Sequence, residues 1–210
     1  MVRIVVADPN LTNAPPGWAA VDSALGRFAP PTSLGFSCSA RDLNRYWSRY
    51  RLAKSFRSID IAVYTADTVR GYSALFRVFL VWSAFEQLMR LYGLKPGTFV
   101  SRLGSYGISS VEKAIRSVPD HSRFLEAVRA ELDRTPLIVA ITDFVAGRAI
   151  NLLLLPASIR HIFVHGKLTP NSGVGHVEAA CGLSSVLCEF LFAVMDGEFS
   201  ATLKANGIAV

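Results

Sequence analysis

Charged side chains are scarce in this sequence: they account for 18% of its 210 residues, whereas hydrophobic residues account for 51%. This composition excludes an intrinsically disordered chain and predicts one folded domain with a substantial core. Mean hydropathy is +0.34, but long apolar runs are missing. The longest candidate, Ala179–Met195, is interrupted by Glu189 and is shorter than the about 20 residues that span a bilayer. We therefore predict no transmembrane helix and no membrane partner.

Cysteine is also rare, and the three present are Cys38, Cys181 and Cys188. Their spacing lacks the pairs of a zinc site, and the start of the chain lacks the long apolar run of a signal peptide, which together predict a reduced, cytoplasmic compartment. The sequence also has no Walker loop, no G-x-G-x-x-G element and no G-x-S-x-G nucleophile elbow. These absences argue against nucleotide-dependent and serine-hydrolase chemistry, and no cofactor is predicted.

Acidic residues are fewer than basic ones, 16 against 22, which gives a net charge of +6 and favours an anionic partner. Most of the excess lies in residues 41–57, where Asp42 is the single acid among Arg41, Arg45, Arg49, Arg51, Lys54 and Arg57. Tyr46, Trp47 and Tyr50 are interleaved with them. Two interpretations stay open. The segment is an RNA-binding surface, with cations on phosphates and rings on unpaired bases, or a solvated face whose rings turn into the core.

The stretch Pro156 to Gly166, PASIRHIFVHG, has the proline-first, glycine-last pattern of a short helix. At about 100° per residue, one face of this helix is apolar and the other carries Ser158, Arg160, His161 and His165. The arginine fork fits phosphate oxygens, and imidazole transfers protons near neutral pH. This combination predicts phosphodiester chemistry that needs no metal.

Arg160, His161 and His165 resemble the motif of the HEPN superfamily, in which an Arg and a polar residue are followed, a few positions later, by His. The same Arg-x4-His spacing recurs at Arg116 and His121, but Pro119 between them breaks any helix there. Many HEPN proteins are metal-independent ribonucleases. The resemblance implies an all-α helical bundle and an endoribonuclease that acts on RNA, as a toxin or an anti-phage effector with a cognate antitoxin or another partner protein.

In the implied reaction, the 2′-OH of RNA attacks the adjacent phosphorus and leaves a 2′,3′-cyclic phosphate. His165 takes or returns the proton, Arg160 stabilises the phosphate, and His161 orients an oxygen or shares the proton transfer. The alternative is a non-catalytic HEPN module that uses the same cations to bind RNA or a nucleotide, or that scaffolds a partner.

A metal site is a weaker alternative for the same helix. His161 and His165 are four residues apart, and His176 or Glu178 would complete the ligand set. The glutamate that usually follows the first histidine of such a site is Ile162 here. No metal is therefore predicted.

Arg70 to Gly93 predicts a central helix that is apolar nearly all round and hence buried, with Gly93 just beyond its end. Glu86 on this helix needs a partner, because a buried carboxylate is costly unless it is paired. The candidates are Arg90, one turn on, and Arg160 or His161 of the motif helix. The HEPN resemblance, in which this helix carries a polar residue, supports the second pairing.

The rest of the chain predicts an N-terminal extension, residues 1–40, and a helical domain, residues 41–210. The extension combines one short strand at Arg3 to Ala7 with turns and irregular coil. In the domain we predict a helix from the Ser39 cap to residue 58, a loop or short helical segment at 94–108, and further helices at 109–117, 121–133 and 138–155. The last of these leads into the motif helix, and a final helix covers about 175–195.

A symmetric homodimer is the remaining prediction. On an ideal helix Arg160 and His165 project about 140° apart, so one copy aims them poorly at a single phosphate. A twofold axis beside this helix would bring the Arg of one subunit near the His of the other, with Ser158 and His161 at the interface. The HEPN resemblance implies the same arrangement.

Overall fold

The computed structural model describes residues 2–6, 13–168 and 177–210, with side chains in the last two ranges. It is predominantly helical, which confirms the all-α prediction. The α-helices are α1 (Trp18–Gly26), α2 (Ala40–Ser55), α3 (Ala66–Leu91), α4 (Pro96–Phe99), α5 (Ile108–Arg116), α6 (His121–Ala130), α7 (Thr135–Val145), α8 (Leu154–Val164) and α9 (Val177–Ala205). Short 3-10 helices cover Pro31–Leu34 and Val100–Ser105, and two strands, β1 (Val2–Val6) and β2 (Phe56–Ile61), complete the fold.

The core is organised around α3, which packs against α9, α2 and α8. Its apolar side chains are buried over most of its length, and Gly93 follows it with a φ of 65°, as the predicted C′ glycine requires. The final helix is longer than predicted: α9 continues ten residues past Met195 and buries Phe199 and Leu203. These two long helices fix where α8 can lie.

The strand predicted at the start of the chain is present as β1, which pairs antiparallel with β2. Strand β2 corrects the prediction of a helix as far as residue 58, because α2 ends at Ser55. The Phe56 ring packs edge-on against Phe76 at 5.4 Å, and the Ile59 N–H donates to Ser73 Oγ at 3.0 Å. The hydrogen bonds of this backbone go to a partner strand fifty or more residues away, and no local sequence pattern reveals that pairing.

From residue 13 onward, the N-terminal extension forms helical structure rather than irregular coil, which is a second correction. Helix α1 buries Trp18 in the same core as the later helices. The 3-10 helix at Pro31–Leu34 and the turn after it bury Leu34 and Phe36 there as well. The Trp18 ring stacks on Trp47 with centroids 5.6 Å apart. Gly17 precedes α1 with a φ of 78°, and a Cβ there would come within 2.6 Å of a Leu203 methyl. The turn into α1 therefore requires glycine.

The predicted helix at 138–155 is wrong, because the chain turns between α7 and α8. Gly147 adopts a φ of 83°, and the Arg148 N–H donates to the Asp143 carbonyl at 2.8 Å, which closes the end of α7. Asn151 then accepts the Leu153 N–H at 3.1 Å and starts the next turn. The motif helix consequently begins at Leu154, and Pro156 lies in its first turn, where a missing N–H costs nothing.

Candidate functional site

The three motif residues lie at the C-terminal end of α8. Arg160 is half-buried, His161 is 6% exposed, and His165 is an exposed C-cap residue just outside the helix. Gly166 follows with a φ of 68° and ends the helix as predicted. The His161 and His165 rings meet edge to face with centroids 4.6 Å apart. The structure therefore brings the two imidazoles together within one chain.

His161 is held by a carboxylate that the sequence did not indicate. Its Nε2 lies 2.9 Å from Asp133 Oδ1, and Lys167 Nζ lies 3.7 Å from Asp133 Oδ2. The hydrogen bond from His161, and then the charge of Lys167, lower the pKa of Asp133, so this carboxylate is ionised. An ionised carboxylate only accepts, so Nε2 carries the proton, and in the neutral ring Nδ1 is left as the acceptor. Asp133 thus fixes both the orientation and the tautomer of His161.

Arg160 and His161 line a cavity of about 260 Å³ between α3, α7 and α8. Two guanidinium groups, of Arg160 and Arg134, and one carboxylate, of Glu86, border it, so its charge is net positive when His161 is neutral. The rest of the wall is apolar, formed by Trp82, Pro96, Pro136, Leu137, Leu154 and Ala157. Within the described ranges, Arg160 has no carboxylate within ion-pair distance. Its guanidinium is therefore available to an anion that enters the cavity.

Glu86 borders this cavity but does not make the predicted pairs. It is half-buried, and none of Arg90, Arg160 and His161 lies within ion-pair distance in the described part of the chain. His161 uses Asp133 instead. The predicted partners of Glu86 are therefore wrong. Because the cavity leaves it in contact with solvent, its carboxylate can stay hydrated without a partner.

The structure also corrects the prediction that Ser158 lies on the polar face of the motif helix, at a dimer interface. Its side chain is 0% exposed, and its hydroxyl donates to the Leu154 carbonyl one turn earlier at 2.7 Å. It therefore faces the core and cannot lie on a dimer surface. His161 is almost as buried, so the groups open to a partner at this end of α8 are His165, the Gly166 and Lys167 that follow it, and Val164, which is 47% exposed.

Asp133 and Arg134 are the residues that sequence reasoning missed. Both lie in the turn between α6 and α7, just before Pro136, and Asp133 is 28 positions from His161. The polar turn is visible in the sequence, but its approach to α8 depends on how α6, α7 and α8 pack together. The second Arg-x4-His pair does not form a comparable site. Arg116 donates to the Phe144 carbonyl at 2.8 Å, and His121 Nδ1 lies 3.0 Å from the Val118 carbonyl.

The basic segment divides between two elements. Arg41 and Arg45 are exposed on α2, with Arg45 3.5 Å from Asp42, while half-buried Arg49 donates to the Ser83 carbonyl at 3.4 Å. Arg51 lies over the Trp47 ring at 4.8 Å, and Lys54 lies over Phe192 at 4.4 Å. Arg57 lies on β2, apart from the α2 stripe. The cations thus form a surface with many local contacts rather than one continuous free stripe.

The aromatic side chains of α2 face inward. Tyr46 and Tyr50 are 0% and 1% exposed, and the Tyr50 hydroxyl donates to Asp196 at 2.5 Å. Trp47 is stacked between Trp18 and the Arg51 guanidinium. The proposal that these rings stack on unpaired bases is therefore wrong, and the interpretation that they turn into the core is confirmed.

No group of three metal-binding side chains occurs in the part of the chain that the structure describes. His176 lies outside the described residues, and Glu178 pairs with Arg70. Cys38, Cys181 and Cys188 are free thiols, with Cys188 fully buried. Among the described helices, α9 is long and apolar enough to cross a membrane, with a mean hydropathy of 1.7 over its best window, 56% of which is buried in the protein. A core helix meets the same criterion, so the lack of a membrane partner stays a prediction.

Comparisons with models of known families, with curated proteins and with solved structures find no match to this chain. The side-chain geometry at the end of α8 and the motif that it contains are therefore the basis for a function.

Proposed function

We propose that this protein is a metal-independent endoribonuclease of HEPN type whose active site is the cluster of Arg160, His161 and His165. The observation that carries the proposal is the contact of two imidazoles, one fixed by Asp133 and one exposed, beside a cavity lined by the Arg160 guanidinium, which has no ionic partner among the described residues. The reaction needs a proton carrier and a phosphate-binding cation, and these side chains provide both.

The proposed chemistry uses the 2′-oxygen of RNA as the nucleophile. This oxygen forms a bond to the adjacent phosphorus while the bond from phosphorus to the 5′-oxygen breaks. A base accepts the 2′-OH proton and an acid returns one to the 5′-oxygen, which leaves a 2′,3′-cyclic phosphate and a 5′-hydroxyl. His165 is the proton carrier in this scheme because it is exposed to substrate. Arg160 stabilises charge on the equatorial oxygens.

In this proposal His161 and Asp133 support His165 and Arg160 by positioning them. Asp133 fixes the His161 ring, and that ring contacts His165 at 4.6 Å between centroids. His161 also lines the cavity, where its Nδ1 can accept from a hydroxyl when the ring is neutral and donate to a phosphate oxygen when the ring is protonated. Glu86, on the opposite wall, limits the positive charge of the cavity and is a supporting residue.

The active form is proposed to be a symmetric homodimer. Arg160 lines the cavity, whereas His165 lies outside the helix and outside the cavity wall. A second copy packed on the exposed end of α8, around Val164 and His165, would place its own His165 opposite the first Arg160. Each of the two sites would then combine groups from both chains.

Incubation of pure protein with RNA in EDTA tests the catalytic proposal. Wild type should cleave RNA but not DNA, because DNA lacks the attacking 2′-OH. His165→Ala should lower the rate by about a hundredfold or more, the scale of a lost acid or base. His121→Ala is the matched control, because His121 has the same Arg-x4-His spacing from Arg116, and this variant should leave the rate unchanged.

Strong cleavage by His165→Ala, or an absolute need for a divalent ion, would rule out this mechanism. Binding of RNA by wild type without any cleavage would favour the non-catalytic module instead. For the dimer, an Arg160→Ala chain is mixed with a His165→Ala chain. Partial recovery of activity supports a composite site, whereas a mixture that dimerises and stays inactive shows that each site is built within one chain.

A further inference from the structure

A second cavity, of about 420 Å³, lies between β2, α3 and α9. Three arginines line it, Arg57 from β2 and Arg70 and Arg77 from α3. Seryl hydroxyls from all three elements surround them, together with the Cys181 thiol. The two cavities share no lining residue, and their nearest lining residues on α3, Arg77 and Trp82, are five residues apart, or about 7.5 Å along the helix. The two cavities are therefore separate sites.

The arginines of this second cavity differ in their partners. Arg70 is paired with Glu178 and lies 3.5 Å from Asp67, so its charge is largely compensated. Arg57 and Arg77 have no carboxylate within ion-pair distance among the described residues. Two guanidinium groups consequently border one cavity without a countercharge from the described part of the protein.

Two buried polar atoms at the cavity lack hydrogen-bond partners among the described residues. The Nε of Arg77 and the Oγ of Ser184 are both inaccessible to solvent and have no partner there, and Ser184 as a whole is 2% exposed. The neighbouring hydroxyls are satisfied, because Ser73 donates to the Val69 carbonyl and Ser185 donates to Glu189. Buried donors without an acceptor are uncommon in folded proteins, since each loses its hydration without compensation. Ser184 at this wall is thus a donor that the described part of the protein leaves unused, which favours a ligand that accepts hydrogen bonds.

We propose that this cavity binds a small phosphorylated molecule, with its phosphate between Arg57 and Arg77 and within reach of Ser184. Two guanidinium forks and a hydroxyl suit a tetrahedral oxyanion, which accepts several hydrogen bonds at once. The volume exceeds that of one phosphate, and Ala66, Val69 and Ala74 form an apolar wall for an organic group. Burial raises the pKa of the Cys181 thiol, so the site binds its ligand without a thiolate nucleophile.

Isothermal titration calorimetry with inorganic pyrophosphate at fixed ionic strength tests this site. Wild type should bind one pyrophosphate per chain in a saturable manner. Arg57→Gln and Arg77→Gln should each raise the Kd by about tenfold, as expected for loss of a charge-assisted contact. Arg57 is exposed, so its variant remains informative if Arg77→Gln fails to fold. Arg123→Gln, an exposed arginine on α6 away from both cavities, is the matched control and should leave the Kd unchanged.

Three results would overturn the proposal: no saturable binding by wild type, an equal loss in Arg123→Gln, or unchanged binding in Arg57→Gln. In a fourth, wild type binds a 5′-phosphorylated oligonucleotide but not pyrophosphate, and Arg57→Gln abolishes the binding of the oligonucleotide. That result would assign the cavity to an RNA backbone rather than to a small molecule. None of these outcomes depends on cleavage at α8, so this site and the proposed ribonuclease activity are tested independently of each other.

Discussion

The end of α8 and the outer face of α2 both present arginine side chains, but the protein holds them differently. On α8, His161 is fixed by Asp133, and Arg160 borders a cavity without an ionic partner among the described residues. On α2, Arg41 and Arg45 are exposed to solvent. Water and salt weaken exposed charges, whereas a cation at a partly enclosed cavity is less screened and acts more strongly on a bound anion. A cation that borders a cavity beside a fixed imidazole is therefore a better indication of a candidate site than charge density alone.

The largest expected difference between the two regions is in RNA cleavage. Arg160→Ala should lower kcat/KM by about a hundredfold or more, because it removes a cation aimed at the charge that develops on the phosphate. Arg45→Ala removes an exposed charge and should cost only severalfold. Both are measured on one short RNA in EDTA, with circular dichroism as a check of folding. Equal losses would mean that α8 acts only as another basic surface.

Asp133→Asn tests whether the fixed imidazole matters. Asparagine keeps the shape but loses the charge that orients His161, so kcat should fall between about tenfold and a hundredfold with little change in KM. Because the pKa of Asp133 is lowered, the wild-type carboxylate stays ionised from neutral pH down through its ordinary value, about 4. Titration of Asp133 itself should therefore contribute nothing to the ratio of wild-type to variant kcat between pH 5 and pH 8. If the variant has an unchanged kcat, Asp133 has only a structural role.

Much of the helical frame could be predicted because its signals are local. The Ser39 side chain accepts the Asp42 N–H at 3.2 Å, as the capping pattern indicates, and the glycines at 93 and 166 end their helices. The errors arose where contacts between distant segments decide the structure. Phe56–Ile61 becomes a strand because β1 pairs with it, and α1 forms where Trp18 meets the core.

The candidate site was predicted in part for the same reason. Arg160 and His161 lie in the last turns of one short helix and His165 is its C-cap, so their spacing alone places all three at the same end of the helix. Asp133 and Arg134 reach the site only through the packing of α6, α7 and α8, which no spacing encodes. The prediction for Ser158 is wrong because the sequence of α8 alone does not show which of its faces packs against other helices. Once α8 lies against α3, the Ser158 side chain faces the core.

The inward face of α2 gives a prediction about stability. Tyr50→Phe should lower the free energy of unfolding by about 1.5 kcal/mol at pH 7, because it removes a hydrogen bond to the Asp196 carboxylate. Tyr46→Phe is the matched control. Its buried hydroxyl has no hydrogen-bond partner in the described part of the chain, so its removal should leave stability unchanged or slightly raised. Urea unfolding of both variants measures the difference.

The same pair has a defined pH dependence. Burial raises the pKa of Asp196, and the Tyr50 hydrogen bond opposes that rise. A carboxyl with a raised folded pKa favours folding at low pH, and this contribution is lost as pH rises through the folded pKa. Without the Tyr50 hydroxyl the ionised form is less well stabilised, so the deficit of Tyr50→Phe should be larger at pH 7 than at pH 3.5. An equal deficit at both values would mean that Asp196 does not accept this bond as a carboxylate.

The smallest expected effect tests whether α2 contacts RNA at all. If Arg45 and Arg49 each neutralise one phosphate, replacing both by alanine should lower the slope of log K against log salt by about 1.4 for single-stranded RNA. The affinity at moderate salt should fall only severalfold. The control removes two exposed arginines of α6, Arg123 and Arg129, and should leave the slope unchanged. Because the Tyr46 and Tyr50 rings are buried, base stacking on α2 adds nothing, so the loss should be the same for a purine and a pyrimidine homopolymer. An unchanged slope would assign Arg45 and Arg49 to a solvated face and confine RNA binding to the end of α8.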